Sequence, residues 1–210
     1  MSMFLERPDG SNDEAMLAAR MASGDEQAFV TLFRRYQGPV YRFVRQMGGS
    51  AETAEDVTQE AFIALMEGGG RFDAERGSLK VYLYGIARNL LRRQIRKQRT
   101  HPEVELDQLP EMPPAAAAVS DALADLERAE ALASLRRAIL SLPAHYREVI
   151  VLCELHELRY EDAALVVNCP VGTIRSRLNR ARRVLARRCL LETDAPAHDG
   201  AACPPRRCLA

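Results

Sequence analysis

Apolar residues recur at intervals of three and four along most of this chain of 210 residues, which is the repeat of one face of an α-helix. Leu79, Leu83, Ile86 and Leu90 form the clearest stripe of this kind. No segment of four or more residues shows the alternating, β-branched pattern that is typical of a strand. The sequence therefore predicts an all-α fold.

A change in composition divides the chain in two. Residues 100–114 include four prolines, and residues 100–127 carry seven carboxylates and no lysine or arginine. Such a segment is typical of a linker rather than of a packed helix. We expect two small helical domains, joined by a flexible acidic linker and followed by a disordered tail rich in proline. The expected ranges are 12–99 for an N-terminal helical bundle, 100–119 for the linker, 120–190 for a C-terminal four-helix domain and 191–210 for the tail.

Capping residues and helix breakers predict several helix boundaries. Ser23 and Thr53 each have the spacing of a residue that begins a capping box. Gly38-Pro39 is expected to interrupt the helix that starts after Ser23. The three glycines at 68–70 are expected to end the helix that starts at Thr53, because glycine loses the most conformational entropy in a helix. Ser78 is expected to cap a long helix that ends near Arg99.

Charges are segregated along the chain although they balance overall, with 29 basic and 29 acidic residues. Residues 88–99 hold six basic side chains and no acidic one, and residues 173–188 hold seven arginines and no acidic side chain. Residues 50–70 hold five carboxylates and no base. This pattern indicates more than one charged partner. The alternative for each run is a solvated helix face.

Residues 160–188 have the pattern of a helix-turn-helix. Asn168 is expected to adopt the left-handed geometry that ends the first helix, and Pro170 to fix the backbone before the second. The second helix has an apolar stripe on one side and arginines on the others, as a helix in the DNA major groove requires. The alternative is a helical hairpin with an arginine-rich outer face. The residues expected to contact DNA are Val171, Gly172, Thr173, Arg175, Ser176, Arg177, Asn179, Arg180 and Arg183.

Three segments carry a resemblance to a known family. LPAHYREVIVLCELHELRYEDAALVVNCPVGTIRSRLNRARRVL, AEDVTQEAFIAL and RFDAERGSLKVYLYGIARNLLRR resemble bacterial RNA polymerase sigma factors of the extracytoplasmic-function (ECF) group. The resemblance implies a subunit without catalysis or cofactor that binds core RNA polymerase, through the clamp helices of the largest subunit and the flap of the second. It also implies recognition and melting of promoter DNA, control by an anti-sigma protein and location in the cytoplasm.

The resemblance assigns two further sets of residues. It places Asp56, Gln59, Glu60 and Ile63, on one face of a helix, against core polymerase. It places the minus-ten element of the promoter against a second helix, where aromatic rings, arginines and an asparagine suit single-stranded DNA. Tyr82 and Tyr84 have a second interpretation as core aromatics. The residues assigned to minus-ten DNA are Tyr82, Tyr84, Arg88, Asn89, Arg92, Arg93 and Arg96, and the helix-turn-helix is assigned to the minus-thirty-five element.

Two other protein classes compete with this interpretation. A helix-turn-helix regulator that binds operators alone would explain residues 160–188 but leave residues 54–93 without a role. An enzyme is disfavoured because no phosphate loop, nucleophile elbow or metal-spaced cluster is found in the sequence. The longest apolar runs are far shorter than the roughly 20 residues that a membrane span needs. The five cysteines, an odd number, favour reduced thiols.

The C-terminal tail leaves one question open. Cys189, His198, Cys203 and Cys208 could form a metal or redox switch, since soft ligands on a flexible segment can fold around zinc or copper. Their loose spacing favours an unstructured tail without a metal.

Overall fold

The computed structural model describes residues 10–68, 72–100 and 122–193. Within these ranges the chain is helical and contains no strand, which confirms the predicted all-α class. The helices before the acidic segment are Gly10–Ala22 (α1), Glu26–Gln46 (α2), Ala51–Glu67 (α3) and Leu79–Thr100 (α4).

The described part of the second half contains the four helices expected there. A π-helical turn, Val151–Leu155, continues the second of them. The acidic linker beyond Thr100 and the tail beyond Thr193 lie outside the described residues. The helices are Ala122–Leu140 (α5), Ala144–Ile150 (α6), Tyr160–Val167 (α7) and Val171–Thr193 (α8).

Two helix starts and one helix break differ from the sequence prediction. Asp25, rather than Ser23, caps α2, and its carboxylate accepts hydrogen bonds from the backbone N–H groups of Gln27 and Ala28 at 2.9 and 3.1 Å. Ser50, rather than Thr53, caps α3 through a 3.0 Å bond. A short acceptor side chain directly before the first helical turn satisfies these free amides, so a residue two or three positions away cannot replace it.

The predicted break at Gly38-Pro39 is wrong, because α2 continues through both residues. A proline inside a helix removes one backbone hydrogen bond and costs roughly 3 kcal/mol. Tyr36, Val40 and Phe43 lie on the same buried face on either side of the proline. Each large apolar side chain contributes about 1.5 to 3 kcal/mol when fully buried, so packing outweighs the proline.

Helix α1 was not predicted as a helix. Ala18 and Met21 bury its inner face, and the Glu14 carboxylate accepts a hydrogen bond from the Tyr36 hydroxyl of α2. Burial and the neighbouring Glu14 raise the pKa of Tyr36, so the hydroxyl stays protonated as the donor. Helix α1 thus completes the N-terminal bundle.

The core is continuous across the two predicted domains. Leu32, Phe43 and Leu65 from the N-terminal bundle belong to the same buried cluster as Val149 and Ile174 from the second half. Helix α4 packs against α7, and α2 packs against both α5 and the π-helical turn. The sequence predicts two bodies on a flexible tether, but it does not predict that they pack together.

Candidate nucleic-acid interface

The turn between α7 and α8 has the predicted geometry. Asn168 ends α7 in the left-handed region with φ 56°. Asparagine tolerates that conformation better than most residues other than glycine. The Pro170 carbonyl accepts hydrogen bonds from the N–H groups of Thr173 and Ile174 at 2.9 and 3.3 Å. The turn therefore ends one helix and starts the next within three residues, which fixes how α8 projects from the domain.

Helix α8 buries its apolar stripe and presents its arginines to solvent. The helical repeat predicts an apolar stripe of Ile174, Leu178, Ala181 and Leu185. The first three are almost completely buried, and Leu185 is half-buried. The Arg175 guanidinium lies 5.9 Å from the centroid of the Tyr160 ring, a cation–π contact that orients it beside the turn. Of the residues predicted to contact DNA, Val171, Thr173 and Arg177 are half-buried, and the exposed ones are Gly172, Arg175, Ser176, Asn179, Arg180 and Arg183.

These arginines have no carboxylate within salt-bridge distance among the described residues. Arg182 on the same helix differs, because its guanidinium pairs with Glu154. A guanidinium without an acidic partner gives up no ion pair when it binds phosphate or a guanine edge. The outer face of α8 is therefore ready to accept an anionic ligand.

Helix α3 presents an exposed face that is acidic with an apolar centre. Asp56 and Gln59 are exposed, and the Ile63 side chain is 47% exposed. Glu60 pairs with Arg93 of α4 at 3.0 Å. Met66 is 48% exposed and extends the apolar part beyond the predicted residues. Its spacing of three from Ile63 is the signal that could have identified it.

The predicted minus-ten residues on α4 differ in how far they are exposed. Tyr82 is half-buried, and its ring packs against Phe72 with the centroids 5.6 Å apart. Tyr84 and Arg88 are buried, so in this arrangement they do not face solvent as the DNA-contacting role requires. The exposed members of the set are Asn89, Arg92, Arg93 and Arg96.

Arg88 is buried because it crosses to the C-terminal domain. Its Nε lies 2.8 Å from Oε1 of Glu148 in α6, and its second contact, from Nη2 to Oε2, is 3.2 Å. The two side chains are only 7% and 8% exposed. Removing one partner of such a buried pair costs about 3 to 5 kcal/mol, because the other charge is left without a partner.

Two further side chains of α4 contact the C-terminal domain: Tyr84, one turn before Arg88, and Lys80, two turns before it. The Tyr84 hydroxyl lies 2.7 Å from Nδ1 of His156, and Nε2 of that ring lies 2.7 Å from Oε1 of Gln46. Lys80 Nζ donates to the His156 carbonyl at 2.9 Å. The Tyr84 ring also stacks on Phe43 with the centroids 4.8 Å apart.

The titration behaviour of these groups follows from burial. Burial, together with the Lys80 and Arg42 cations, lowers the pKa of His156 to about 4. A neutral imidazole that donates from Nε2 to Gln46 accepts at Nδ1 from Tyr84, so both contacts are satisfied without a charge. Burial also lowers the pKa of Lys80 and raises that of Tyr84.

Arg147 forms a further link between the domains. Its guanidinium donates to the Met47 carbonyl at the end of α2 at 2.9 Å, to the Leu140 carbonyl at the end of α5 and to the Leu142 carbonyl two residues later. Carbonyls at helix C-termini carry partial negative charge and attract cations. A side chain on Gly48, which has φ 101°, would come within 2.8 Å of this guanidinium. These two helix ends are thus held together by one arginine.

The described residues contain no cluster of three potential metal ligands. Cys153 is half-buried, and burial raises its pKa to about 11. The candidate switch residues His198, Cys203 and Cys208 lie outside the described residues, as does the side chain of Cys189. No described helix has the length and apolar character to cross a membrane.

Comparison with protein families matches both halves of the chain. The family model described as Sigma-70 region 2 matches residues 32–101, which contain α3 and α4. The model described as Sigma-70, region 4 matches residues 132–185, which contain α7, the turn and α8 as far as Leu185. The two matches therefore cover the exposed face of α3, the basic helix α4 and most of the basic helix α8.

Similar proteins are known from several bacteria. ECF RNA polymerase sigma factor SigC of Mycobacterium tuberculosis is 36% identical over 177 residues, covering 83% of this chain and 91% of its own. SigW of Bacillus subtilis is 32% identical over 176 residues, covering 79% of this chain and 91% of its own.

Two solved structures have the same overall fold. CnrH in complex with the cytosolic domain of CnrY has a TM-score of 0.63 and 27% identity, covering 87% of this chain and 99% of that chain. RpoE of Bartonella quintana, in complex with the anti-sigma factor NepR, has a TM-score of 0.63 and 26% identity, covering 80% and 98%. The chain therefore belongs to the ECF sigma factors of RNA polymerase, which bind the core enzyme and direct it to promoters.

Proposed function

We propose that this chain directs initiation through three separate surfaces and takes part in no chemical step itself. The acidic-apolar face of α3, formed by Asp56, Gln59, Ile63 and Met66, docks on core polymerase. The outer face of α8 binds the minus-thirty-five element. The face of α4 that carries the predicted minus-ten residues binds the minus-ten strand. The observation that carries the proposal is that the arginines of α8 predicted to contact DNA, Arg175, Arg177, Arg180 and Arg183, have no acidic partner among the described residues.

The α8 surface suits duplex DNA on physical grounds. Arg175 and Ser176 lie in the first two turns of the helix, next to the backbone amides that its N-terminus leaves free, and Asn179 follows in the third turn. Such amides bind phosphate, while arginine recognises a guanine edge with two hydrogen bonds. Phosphate contacts position the helix and base contacts give it sequence preference.

The α3 surface suits a basic helical partner. Its carboxylates attract cations. Ile63 and Met66 supply apolar surface, and binding is favoured when a partner removes that surface from water. Core polymerase works in the cytoplasm, and we place the chain there with it.

Regulation by an anti-sigma protein extends to this chain from its relatives. RpoE of Bartonella quintana was solved with the anti-sigma factor NepR bound, and CnrH with the cytosolic domain of CnrY, on the fold that this chain shares. Capture of the full chain from its source cells, followed by mass spectrometry, should identify a protein that blocks initiation when added back.

The deciding experiment is transcription in vitro with purified core enzyme, the full chain and genomic DNA, followed by mapping of start sites. We expect a defined set of starts that share two upstream elements. Asp56→Arg should abolish co-purification with core, whereas Glu55→Arg, on the same helix but about 100° away, should not. Absence of any start site with the unaltered chain would overturn the proposal, as would tight binding of the free protein to a palindromic site.

A further inference from the structure

An open cleft between α6 and α8 lies beside the predicted minus-thirty-five surface. Its volume is about 220 Å³, and its lining residues are Tyr146, Arg180, Arg183, Val184 and Arg187. Tyr146 belongs to α6 and the other four residues to α8. Neither Tyr146 nor Arg187 is in any of the predicted sites. The predicted function therefore accounts for only part of this strongly basic cleft.

The three guanidinium groups of the cleft carry a repulsion that the described residues do not relieve. Arg183 lies three residues after Arg180 and four before Arg187, so the three share one face of α8. Like charges at these spacings destabilise a helix. None of the three has a carboxylate within salt-bridge distance among the described residues, whereas their neighbour Arg182 pairs with Glu154. An anion bound in the cleft would remove the repulsion.

The shape of the cleft favours a short run of linked phosphate groups. Arg180 and Arg187 are separated by about 10.5 Å along the helix axis. Two or three linked phosphates give each guanidinium oxygen atoms of its own, and arginine binds phosphate with two parallel hydrogen bonds. The volume is smaller than the roughly 300 to 1,000 Å³ of pockets that enclose whole organic ligands. The cleft therefore holds phosphate groups and leaves anything attached to them in solvent.

The phenol of Tyr146 adds a neutral donor to this set. Tyr146 is half-buried, and its hydroxyl has no hydrogen-bond partner among the described residues. A phenolic hydroxyl donates one hydrogen bond, and a phosphate oxygen is a strong acceptor. The wall on α6 thus matches the chemistry of the wall on α8.

The predicted contact with duplex DNA does not account for the outer half of the cleft. A recognition helix contacts base edges through its N-terminal residues, which on α8 lie near Arg175. Arg187 lies about 18 Å further along the axis and about 120° around the helix from Arg175. The major groove is only about 8.5 Å deep. The outer half of the cleft is therefore available to an anion other than the promoter.

We propose that this cleft binds a free linear phosphoanion of the diphosphate or triphosphate class, and that the bound anion weakens binding of the minus-thirty-five element. Arg180 and Arg183 couple the two events, because they line the cleft and also belong to the predicted DNA-contacting set. A guanidinium group that is held by one anion is not available to another, so ligand and DNA compete. The site rests on the cleft itself, and the competition rests on the proposed function of α8.

The first experiment measures the site without DNA. Sodium tripolyphosphate is titrated into the full chain by isothermal titration calorimetry, at constant ionic strength and without divalent cations, which would themselves bind the anion. We expect one saturable site. Arg187→Ala should weaken it by about tenfold, because a charge-assisted contact is lost. Tyr146→Phe should weaken it by a smaller factor, since only a neutral donor is removed. Arg34→Ala makes the same charge change at an exposed position on α2 and should leave the affinity unchanged.

Two calorimetric results would overturn the site. One is the absence of saturable binding by the unaltered chain. The other is equal affinity in Arg187→Ala and Arg34→Ala, because the anion would then respond only to overall charge. If tripolyphosphate does not bind but Arg187→Ala weakens binding of duplex promoter DNA by the holoenzyme, the source of the phosphate is the DNA backbone and the free ligand is ruled out.

The second experiment measures the competition. Binding of promoter DNA by the holoenzyme is measured with and without tripolyphosphate, at about ten times the Kd found by calorimetry. We expect the affinity to fall by about tenfold for the unaltered chain and by about twofold for Arg187→Ala at the same concentration. Each holoenzyme is compared with its own affinity without the anion, so any effect of the anion on core polymerase is common to both.

The outcomes separate this proposal from the proposed function. An equal fall in affinity for the two holoenzymes would overturn the competition. If the unaltered chain supports no initiation with core polymerase, the proposed function fails, whereas the calorimetric result for the cleft stands by itself.

Discussion

Helices α4 and α8 are both long and rich in arginine, yet their surroundings differ. The arginines predicted to bind DNA on α8 have no acidic partner among the described residues, and the pair that does form, Arg182 with Glu154, is exposed. On α4, Arg88 is buried in a pair with Glu148 that joins two domains. The two helices have similar charge patterns but different access to a ligand.

A basic run predicts an anionic ligand only when the rest of the fold leaves the run exposed. The partner of Arg88 lies 60 residues away in the sequence. Nothing local to α4 distinguishes Arg88 from Arg92, which is exposed four residues later. Access is decided by tertiary packing.

The largest expected effect is on stability. Arg88→Ala leaves the Glu148 carboxylate between the domains without a partner, and we expect the free energy of unfolding to fall by about 3 to 5 kcal/mol. Arg182→Ala removes an exposed pair and should cost less than about 1 kcal/mol. Urea unfolding followed by circular dichroism measures both. Equal losses would mean that the two pairs do not differ in burial. If the two domains separate in Arg88→Ala, water reaches the Glu148 carboxylate. The loss in free energy of unfolding therefore cannot exceed the free energy that the packing of the two domains contributes.

The free energy of unfolding should also depend on pH, through His156 at the contact between the two domains. In the folded chain, burial lowers the pKa of His156 from its ordinary value of 6.5 to about 4. Between these values the unfolded chain binds more protons, so stability should fall as the pH falls, by about 1.4 kcal/mol per pH unit. His156→Gln should remove that slope, whereas His145→Gln, at an exposed position, should keep it. The measurement is urea unfolding at a series of pH values, and an unchanged slope in His156→Gln would contradict a buried neutral ring.

The parts of the fold that the sequence predicts are those set by local chemistry. Asn168 and Pro170 specify the turn before α8 because few residues have their backbone preferences. Ile174, Leu178 and Ala181 are correctly predicted as the buried stripe because helical periodicity alone places them together. The exposed arginines of α8 follow from the same periodicity.

The parts that the sequence does not predict depend on contacts between distant segments. Pro39 stays inside α2 because neighbouring turns are well packed, which a local rule about proline cannot anticipate. Tyr84 and Arg88 match the expected DNA-binding chemistry, and only His156 and Glu148 from the other domain reveal that they are buried here. Their roles at the minus-ten strand remain predictions.

A third prediction concerns recognition by α8. Arg175→Ala should weaken binding of the holoenzyme to a duplex with the minus-thirty-five element by roughly 1 to 3 kcal/mol if Arg175 reads a base. Mutating the contacted base pair should then cost the variant little further affinity. Arg187→Ala makes the same charge change on the same helix, outside the predicted set, and serves as the control. Equal effects of the two variants on every sequence would assign Arg175 to general attraction of phosphate instead.

The smallest expected effect separates the exposed end of α4 from its covered centre. Arg93 pairs with Glu60 at 3.0 Å, but the two side chains are 60% and 44% exposed, so Arg93→Ala should change the free energy of unfolding by less than about 1 kcal/mol. If Arg93 contacts a DNA phosphate, the salt dependence of promoter binding by the holoenzyme should fall by about one unit of slope. Arg34→Ala, an exposed arginine on α2 outside every predicted site, should leave the slope unchanged. An unchanged slope in Arg93→Ala would mean that Arg93 only forms a surface ion pair with Glu60. Any DNA binding by α4 would then depend on other side chains. A reduced slope without loss of stability would show that one helix uses exposed arginines for DNA while Arg88 serves domain closure.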